Sequence, residues 1–400
     1  PKKALFGPWG HIYPDLGQPG PGLDWATEEV AWWRHWLGQE TSSVMAGPLF
    51  RFFVGYATPA ETAMREVPGR WASETDWPSP AICNLSLHLA PGRLAPVPAT
   101  GRVRYRAERV VGLTAPEWIP YAAAELPRDQ RPDDARSLTF DVAVTEPMEV
   151  VGAPLLRLRV SSDKPLASVA ARLCEVAADG RSWLVTSGVL NLCFRDGFEA
   201  TPKRLTPGES YDIDLALDPI AHRFKPGSTL RLALSEGLWP LVWPAPETPT
   251  LEFDLQGCRL GLPVRPIPDT EAAMPIPLIH SDFSRGDPRL EIREEPGGAV
   301  RVQGAWPDGP QTVAATSTTL SGAGPDMELH YDPRDPNSCR WRVTQSSRYQ
   351  RGDWDCETRV AIEMTSTPTH FLIEERLLAL KSGAPIFDVT RRDEIRRRFS

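Results

Sequence analysis

The sequence predicts a mainly β protein, a β-sandwich or jelly roll with one early helix and a second β-rich region behind it. Three observations carry that expectation. From about residue 50 onward, short segments alternate apolar and polar residues with a period of two, as strands buried on one face do. The 42 prolines and 30 glycines of the 400-residue chain interrupt these segments at short intervals, as turns between strands require. Only one stretch, "DWATEEVAWWRHWLGQ" at residues 24–39, has the apolar spacing of a helix.

The first element is the short run Ala4-Leu5-Phe6, which ends in "GPWGH" and a run of glycines and prolines. It reads as a strand ending in a turn, or as an imidazole, His11, mounted on a stiff loop. In the helix that follows, Asp24 can serve as N-cap, and Glu28 and Glu29 place negative charge where the helix dipole favours it. Trp25, Val30, Trp33 and Leu37 form an apolar stripe, widened by Trp32 and Trp36. Arg34 and His35 fall in the last turn, and Gly38 suits a left-handed stop. Nothing between Pro1 and Asp24 can cover so many indoles, so the helix is expected to pack on a surface elsewhere.

The strands come next. "LTFDVAVT" points Leu138, Phe140, Val142 and Val144 inward. "LLRLRVSS" sets Leu156, Leu158 and Val160 against Arg157 and Arg159, and "SYDIDLAL" sets Tyr211, Ile213, Leu215 and Leu217 against Asp212 and Asp214. "TLRLALSE" repeats the scheme with Leu230 and Leu232. These segments predict one antiparallel sandwich around a shared core, with Pro207-Gly208 and Pro226-Gly227 as turns. A proline-rich link, "PVRPIPDTEAAMPIP" at residues 263–277, precedes a second set of strands: "RWRVTQSS", "ETRVAIEMTS" and "THFLIEERLLAL". The expected division is 1–45, 46–265 and 278–400.

Composition excludes several functions. A formal net charge of -8 gives no general attraction to nucleic acid or to an anionic membrane. The runs Arg391-Arg392 and Arg396-Arg397-Arg398 read as a solvated tail. No apolar stretch reaches the roughly 18 residues of a membrane span, and no signal peptide is visible. Cys83, Cys174, Cys193, Cys258, Cys339 and Cys356 form no CxxC pair. They are expected as free thiols in a reducing, cytoplasmic compartment. The chain opens on Pro1 rather than Met, so its first residue is not taken as the natural start.

No metal, nucleotide or dinucleotide motif occurs, and no cofactor is expected. His11 and Asp15 do not make a metal pair, because Pro14 breaks helical spacing. His222, His280 and His330 sit singly in apolar or turn contexts and read as structural or surface histidines. That leaves His11. A short strand, a glycine-rich loop carrying histidine and then an amphipathic helix is how the last unit of an α/β-hydrolase ends, with the triad in the order Ser, Asp or Glu, His. No GxSxG occurs in the chain, so nucleophile and acid are expected upstream of Pro1.

At "GPWGH" and "EVAWWRHWLGQ" the chain resembles the X-Pro dipeptidyl-peptidase and cocaine-esterase-like serine hydrolases. The resemblance continues in order through "RFFVGY", "RWASETDWPSP", "RDQRPDDARSLTFDV", "GAPLLRLRVSSD", "ARLCEVAADGRSWLVTSGVLNLCFR", "LTPGESYDIDLAL" and "RFKPGSTLRLALSEGLWP". It covers about residues 3–246; beyond about residue 270 only the extension of some longer members is similar. It implies that residues 1–45 end the catalytic domain and that 46–265 form the family's C-terminal jelly roll. It implies that His11 is the general base and that Trp9 packs its loop. It also implies that Trp239 and Trp243, in "GLWPLVWPAPE", help wall the substrate site. The expected activity is acyl-enzyme hydrolysis of esters or amides, of acyl or X-Pro dipeptidyl type. The expected partners are a small acyl-ester or peptide substrate and an upstream hydrolase segment, with a homo-oligomer left open. This chain alone is expected to be inactive. The alternative is a non-catalytic jelly roll that binds carbohydrate or serves assembly.

Overall fold

The computed structural model describes residues 2–38, 43–58, 64–114, 126–268, 276, 278–279, 289–306 and 309–400. Among them, sixteen strands from Ala4–Phe6 to Arg259–Arg265 join in one hydrogen-bonded network, and nine strands between Arg289 and Arg396 form a second sheet. No described helix is long and apolar enough to cross a membrane.

The alternation of the sequence maps directly onto the first network. Leu155–Ser162 runs antiparallel to Ser210–Ala216, with Leu158 opposite Ile213 and Leu156 opposite Leu215. All seven residues that the alternation marked, Leu156, Leu158, Val160, Ile213, Leu215, Leu230 and Leu232, enter one buried cluster together with Phe140, Phe224 and Phe253. The polar phase of the same strands faces outward. There Arg157 meets Asp214 at 3.2 Å and Arg159 meets Asp212 at 2.8 Å, across the register that pairs them.

Two expectations about these strands need correction. The network is not purely antiparallel: Phe50–Tyr56 pairs in parallel with both Ala4–Phe6 and Ile220–Phe224. The proline-rich stretch is not all linker, because Pro263 lies in strand Arg259–Arg265 opposite Asn84. The short helix Arg131–Asp134 has no helical apolar period. It is held by its buried aspartates, Asp133 accepting from the Thr114 amide and Asp134 from the Ser182 hydroxyl.

The second sheet ends in four long antiparallel strands, Asp335–Arg351, Trp354–Ser366, His370–Lys381 and Ala384–Arg396. The alternating Val360, Ile362 and Met364 oppose Leu377, Glu375 and Ile373 on one face, and are only half-buried. The basic run fits a solvated tail only in part: Arg391, Arg392, Arg396 and Arg398 are exposed, but the run is ordered and Arg397 departs from that reading. Arg392 pairs with Glu374 at 2.7 Å inside the last strand, and Arg397 is buried. Arg397 lies over Phe371 and donates to the Pro244 and Thr367 carbonyls, so desolvation pulls its guanidinium down to about 10. All six cysteines carry free thiols, four of them buried.

Candidate active site and its surroundings

The segment around His11 is built on glycines and one indole. Strand Ala4–Phe6 lies beside Phe50–Tyr56, with Phe6 opposite Phe52. Trp9 then turns back into the loop. Its Nε1 donates to the Pro21 carbonyl at 2.7 Å, and its ring lies 6.1 Å from that of Trp71. A Cβ at Gly7 or Gly17 would overlap that ring, so only glycine permits the wedge. The Gly10 amide donates to the Gln18 carbonyl at 3.2 Å. His11 follows that closure and is exposed. Trp9 is therefore a packing residue that stiffens the loop, as expected.

The helix Trp25–Trp36 starts where the sequence indicates. Asp24 accepts from the Thr27 amide at 3.1 Å and the Thr27 hydroxyl at 2.7 Å, and these bonds, the hydroxyl first, hold its carboxyl below the usual range. Glu28 clamps Arg51 with two bonds of 2.8 and 2.7 Å, tying the helix to strand Phe50–Tyr56. The helix buries no residue, and Trp33 and Leu37 are 49% and 74% exposed. Its apolar stripe is thus only partly covered by the described residues: Trp25 and Trp32 are half-buried, whereas Val30, Trp33 and Trp36 stay exposed. The stop differs from expectation. Gly38 has no left-handed φ; glycine suits it because a Cβ would lie 2.7 Å from the Arg34 carbonyl.

Two hollows flank the first strand. One, of about 490 Å³, is lined by Phe6, Gly7, Phe50, Phe52, Trp77 and Ile220. The other, of about 550 Å³, is lined by Leu5, Trp25, Trp32, Trp33, Lys3 and Arg51. Burial, with Arg51 close by, lowers the Lys3 amine, which donates to the Gly47 carbonyl at 2.8 Å.

Trp239 and Trp243 are placed differently from the expectation. Trp239 is 4% exposed, donates to the Cys339 thiol at 3.1 Å and lies 5.8 Å from the Tyr331 ring. Trp243 donates to the Ser366 hydroxyl at 3.0 Å and meets Phe371 edge-on. Both indoles are spent on the seam between the first network and the second sheet, within a cluster that includes Val110, Val300, Val302 and Leu329. The small cavity beside them, about 50 Å³, shares no lining residue with the hollows next to the His11 loop.

The structure also reveals charged groups that sequence reading missed. Glu149, fully buried, binds Arg70 at 2.6 Å, Arg223 at 2.7 Å and Arg265 at 3.0 Å, and Arg265 also holds Glu74 at 2.6 Å. Arg70 and Glu74 share strand Gly69–Glu74, while Glu149, Arg223 and Arg265 come from three other strands, so no single local pattern relates the cluster. His222, read as structural, pairs with Glu175 at 2.7 Å. Burial opposes ionisation of Glu175, but hydrogen bonds from His222 and the Lys225 amide outweigh it and keep the carboxyl below its usual range. Glu236 lines the seam cavity with one oxygen lacking a hydrogen-bond partner, and desolvation pushes it up to about 8. The only signal for it was an acid placed directly after the apolar strand Thr229–Ser235. His330 is half-buried in strand Asp326–Asp332, and His280 lies outside the described residues. Among the described residues, no group of three or more His, Cys, Asp or Glu is placed to hold a metal ion.

Comparison with known proteins agrees with this architecture. The family profile of the X-Pro dipeptidyl-peptidase C-terminal non-catalytic domain matches residues 28–271. The cocaine esterase of Rhodococcus sp. (strain MB1 Bresler) is 24% identical over 267 residues, 60% of this chain and 44% of that protein. The chain thus spans less than half the length of that relative. An α-amino acid ester hydrolase shares the fold with a TM-score of 0.51 and 22% identity, over 66% of this chain and 50% of that one. An aminopeptidase from a marine sediment Thaumarchaeota archaeon does so with a TM-score of 0.53 and 20% identity, over 66% and 49%. These three relatives are hydrolases, the fold is mainly β, and the chain belongs to the family of the X-Pro dipeptidyl-peptidase C-terminal non-catalytic domain.

Proposed function

We propose that this chain is the C-terminal portion of a serine hydrolase that cleaves ester or amide bonds, with His11 as its general base. Residues 1–45 then close the catalytic domain, 46–265 form a jelly roll against it, and 278–400 add a further β-rich domain. The observation that carries the reading is the mounting of His11. An exposed imidazole follows a short strand, on a loop stiffened by Trp9, and precedes a capped amphipathic helix. Two further features support it. The strand has a neighbour on only one side among the described residues, and the helix leaves Trp33 and Trp36 exposed. Both suit a hydrolase sheet supplied by an upstream segment.

In this reading the serine and its acidic partner lie outside the chain. His11 takes the serine proton as the hydroxyl attacks the acyl carbonyl, then returns it to the leaving alcohol or amine. Water repeats the cycle to release the acid. The substrate class is an acyl ester or an X-Pro peptide. The six free thiols fit a reducing, cytoplasmic setting.

The test uses an acyl-ester assay and a serine-reactive phosphonate on this chain, the upstream-extended chain and its His11→Ala variant. Turnover and labelling are expected only in the extended chain. His11→Ala should lower its turnover by roughly 10⁴-fold or more, with unchanged melting. Labelling of the short chain, or full turnover in the variant, would overturn the proposal.

A further inference from the structure

We propose that the chain forms a two-fold dimer in which strand Ala384–Arg396 pairs antiparallel with the same strand of a second copy, centred on Arg392. The proposal is independent of the chemistry at His11. It starts from an open edge. The strand is thirteen residues long, ends its sheet, and has only His370–Lys381 as a neighbour among the described residues. All its residues but one are exposed. Such an edge presents a row of unpaired amides and carbonyls to any matching strand.

The charge order of the edge selects one partner. Opposite residues in an antiparallel pair share a face of the sheet. Two copies related by an axis perpendicular to the sheet must therefore pair odd-numbered residues with odd and even with even. Centred on Arg392, this rule sets Arg391 against Asp393 of the second copy, Asp388 against Arg396, and Val389 against Ile395. Each of these pairings occurs twice. Four opposite-charge contacts and two apolar ones then form, against a single Arg392–Arg392 meeting. Each Arg392 in that meeting already holds Glu374 at 2.7 Å. The neighbouring registers do worse. Centring on Arg391 sets Asp388 against Glu394, and centring on Asp393 brings two aspartates together.

Of the groups involved, Asp388 already holds Arg376 at 2.7 Å, so the central Arg391 and Asp393 are the ones left available. Asp393 has no ion-pair partner among the described residues, and the Arg391 contact with Glu375 is long, at 3.8 Å. Charges on an edge strand ordinarily deter pairing. A set of one sign would repel its own copy, whereas this set matches itself in one register. The apolar face continues across the junction as well. Val389 and Ile395 lie on the same face as Phe371, Leu377 and Phe387, and Phe387 and Ile395 are about half exposed in the single chain.

Sedimentation equilibrium of the full chain at micromolar concentration should give twice its 44.3 kDa mass, with association weakened by salt. Arg391→Asp and Asp393→Arg should each weaken self-association at least tenfold. An equimolar mixture of the two should associate again, because the first variant is acidic at both positions and the second is basic at both. The double variant Arg391→Asp/Asp393→Arg should recover on its own. Circular dichroism and melting report whether each chain folds; if a reversal does not, Arg391→Ala and Asp393→Ala replace it and should weaken association in the same way. A chain that stays monomeric at all concentrations would overturn the proposal. So would a dimer indifferent to both reversals, or folded variants whose mixture does not associate.

Discussion

Between Phe50 and Arg265 the strands close around a core in which Leu156, Leu158, Phe140 and Phe253 have essentially no exposure, whereas Leu377 and Phe387 of the C-terminal sheet remain 43% and 49% exposed. Both regions carry the same period-two alternation. In the first, the apolar phase meets another layer of the same region, and the polar phase is free to form pairs such as Arg159–Asp212. In the second, the apolar phase is covered chiefly at the seam, where Val300, Val302 and Leu329 gather against Trp239. Beyond it the long strands are laced by cross-strand ion pairs, Arg348–Asp355, Arg376–Asp388 and Arg392–Glu374, each at 2.7 Å. Alternation therefore specifies a strand and its two faces, but not whether either face is covered. Burial is what converts apolar area into stability, at about 25 cal/mol per Å², so the first region should dominate the folding free energy.

Four substitutions sharpen or break that contrast. The largest effect is expected at Glu149, where replacement by Ala leaves Arg70, Arg223 and Arg265 without their shared carboxylate. Breaking a buried charge cluster in this way costs about 3–5 kcal/mol, read by urea unfolding. A cost below about 1 kcal/mol would mean that water reaches the cluster. Leu158→Ala should follow at roughly 2–5 kcal/mol, for lost transfer energy plus a cavity. No change there would contradict the common core.

Glu236 probes the seam that joins the two regions. Burial raises its carboxyl from 4.5 to about 8, so between these values the folded chain keeps a proton that the unfolded chain has lost. Stability should then fall as pH rises from about 5 to 8, by up to about 1.4 kcal/mol per pH unit, and level off above. In Glu236→Gln this component of the slope should vanish, leaving the variant increasingly favoured as pH rises. Parallel pH profiles for the two proteins would refute the buried, protonated carboxyl. The smallest effect is expected at Leu377→Ala. That side chain is nearly half exposed, and the change should stay within about 0.5 kcal/mol. A loss comparable to that at Leu158 would show that the sheet face is covered, as a second copy or another layer would cover it.

Four alternating strands, their inward residues and the capped helix were legible because each depends on neighbours two to four positions away. Asp24 and Thr27 are three residues apart, and Leu156, Leu158 and Val160 are spaced by two. Glu149, Glu236 and Arg397 were not legible. Arg397 in particular looked like a solvated tail, yet it packs on Phe371 and caps the Pro244 carbonyl, contacts 26 and 153 residues away. The aromatic pair Trp239 and Trp243 was visible as a feature, but its partners Cys339, Ser366 and Phe371 lie about 100 to 130 residues on.

Local chemistry, by itself, determined the mainly β class, the face of the four alternating strands that turns inward, the start of the helix, and the glycine-lined mounting of His11. Tertiary structure alone decided which apolar faces are covered, where three arginines converge on Glu149, that the tryptophans after Leu238 form a seam, and which edge strand is left open. The division has a physical origin. Periodicity and capping are short-range steric and hydrogen-bonding effects written in consecutive residues. Coverage, desolvation and charge pairing depend on which distant segments meet, and only the folded chain brings those segments together.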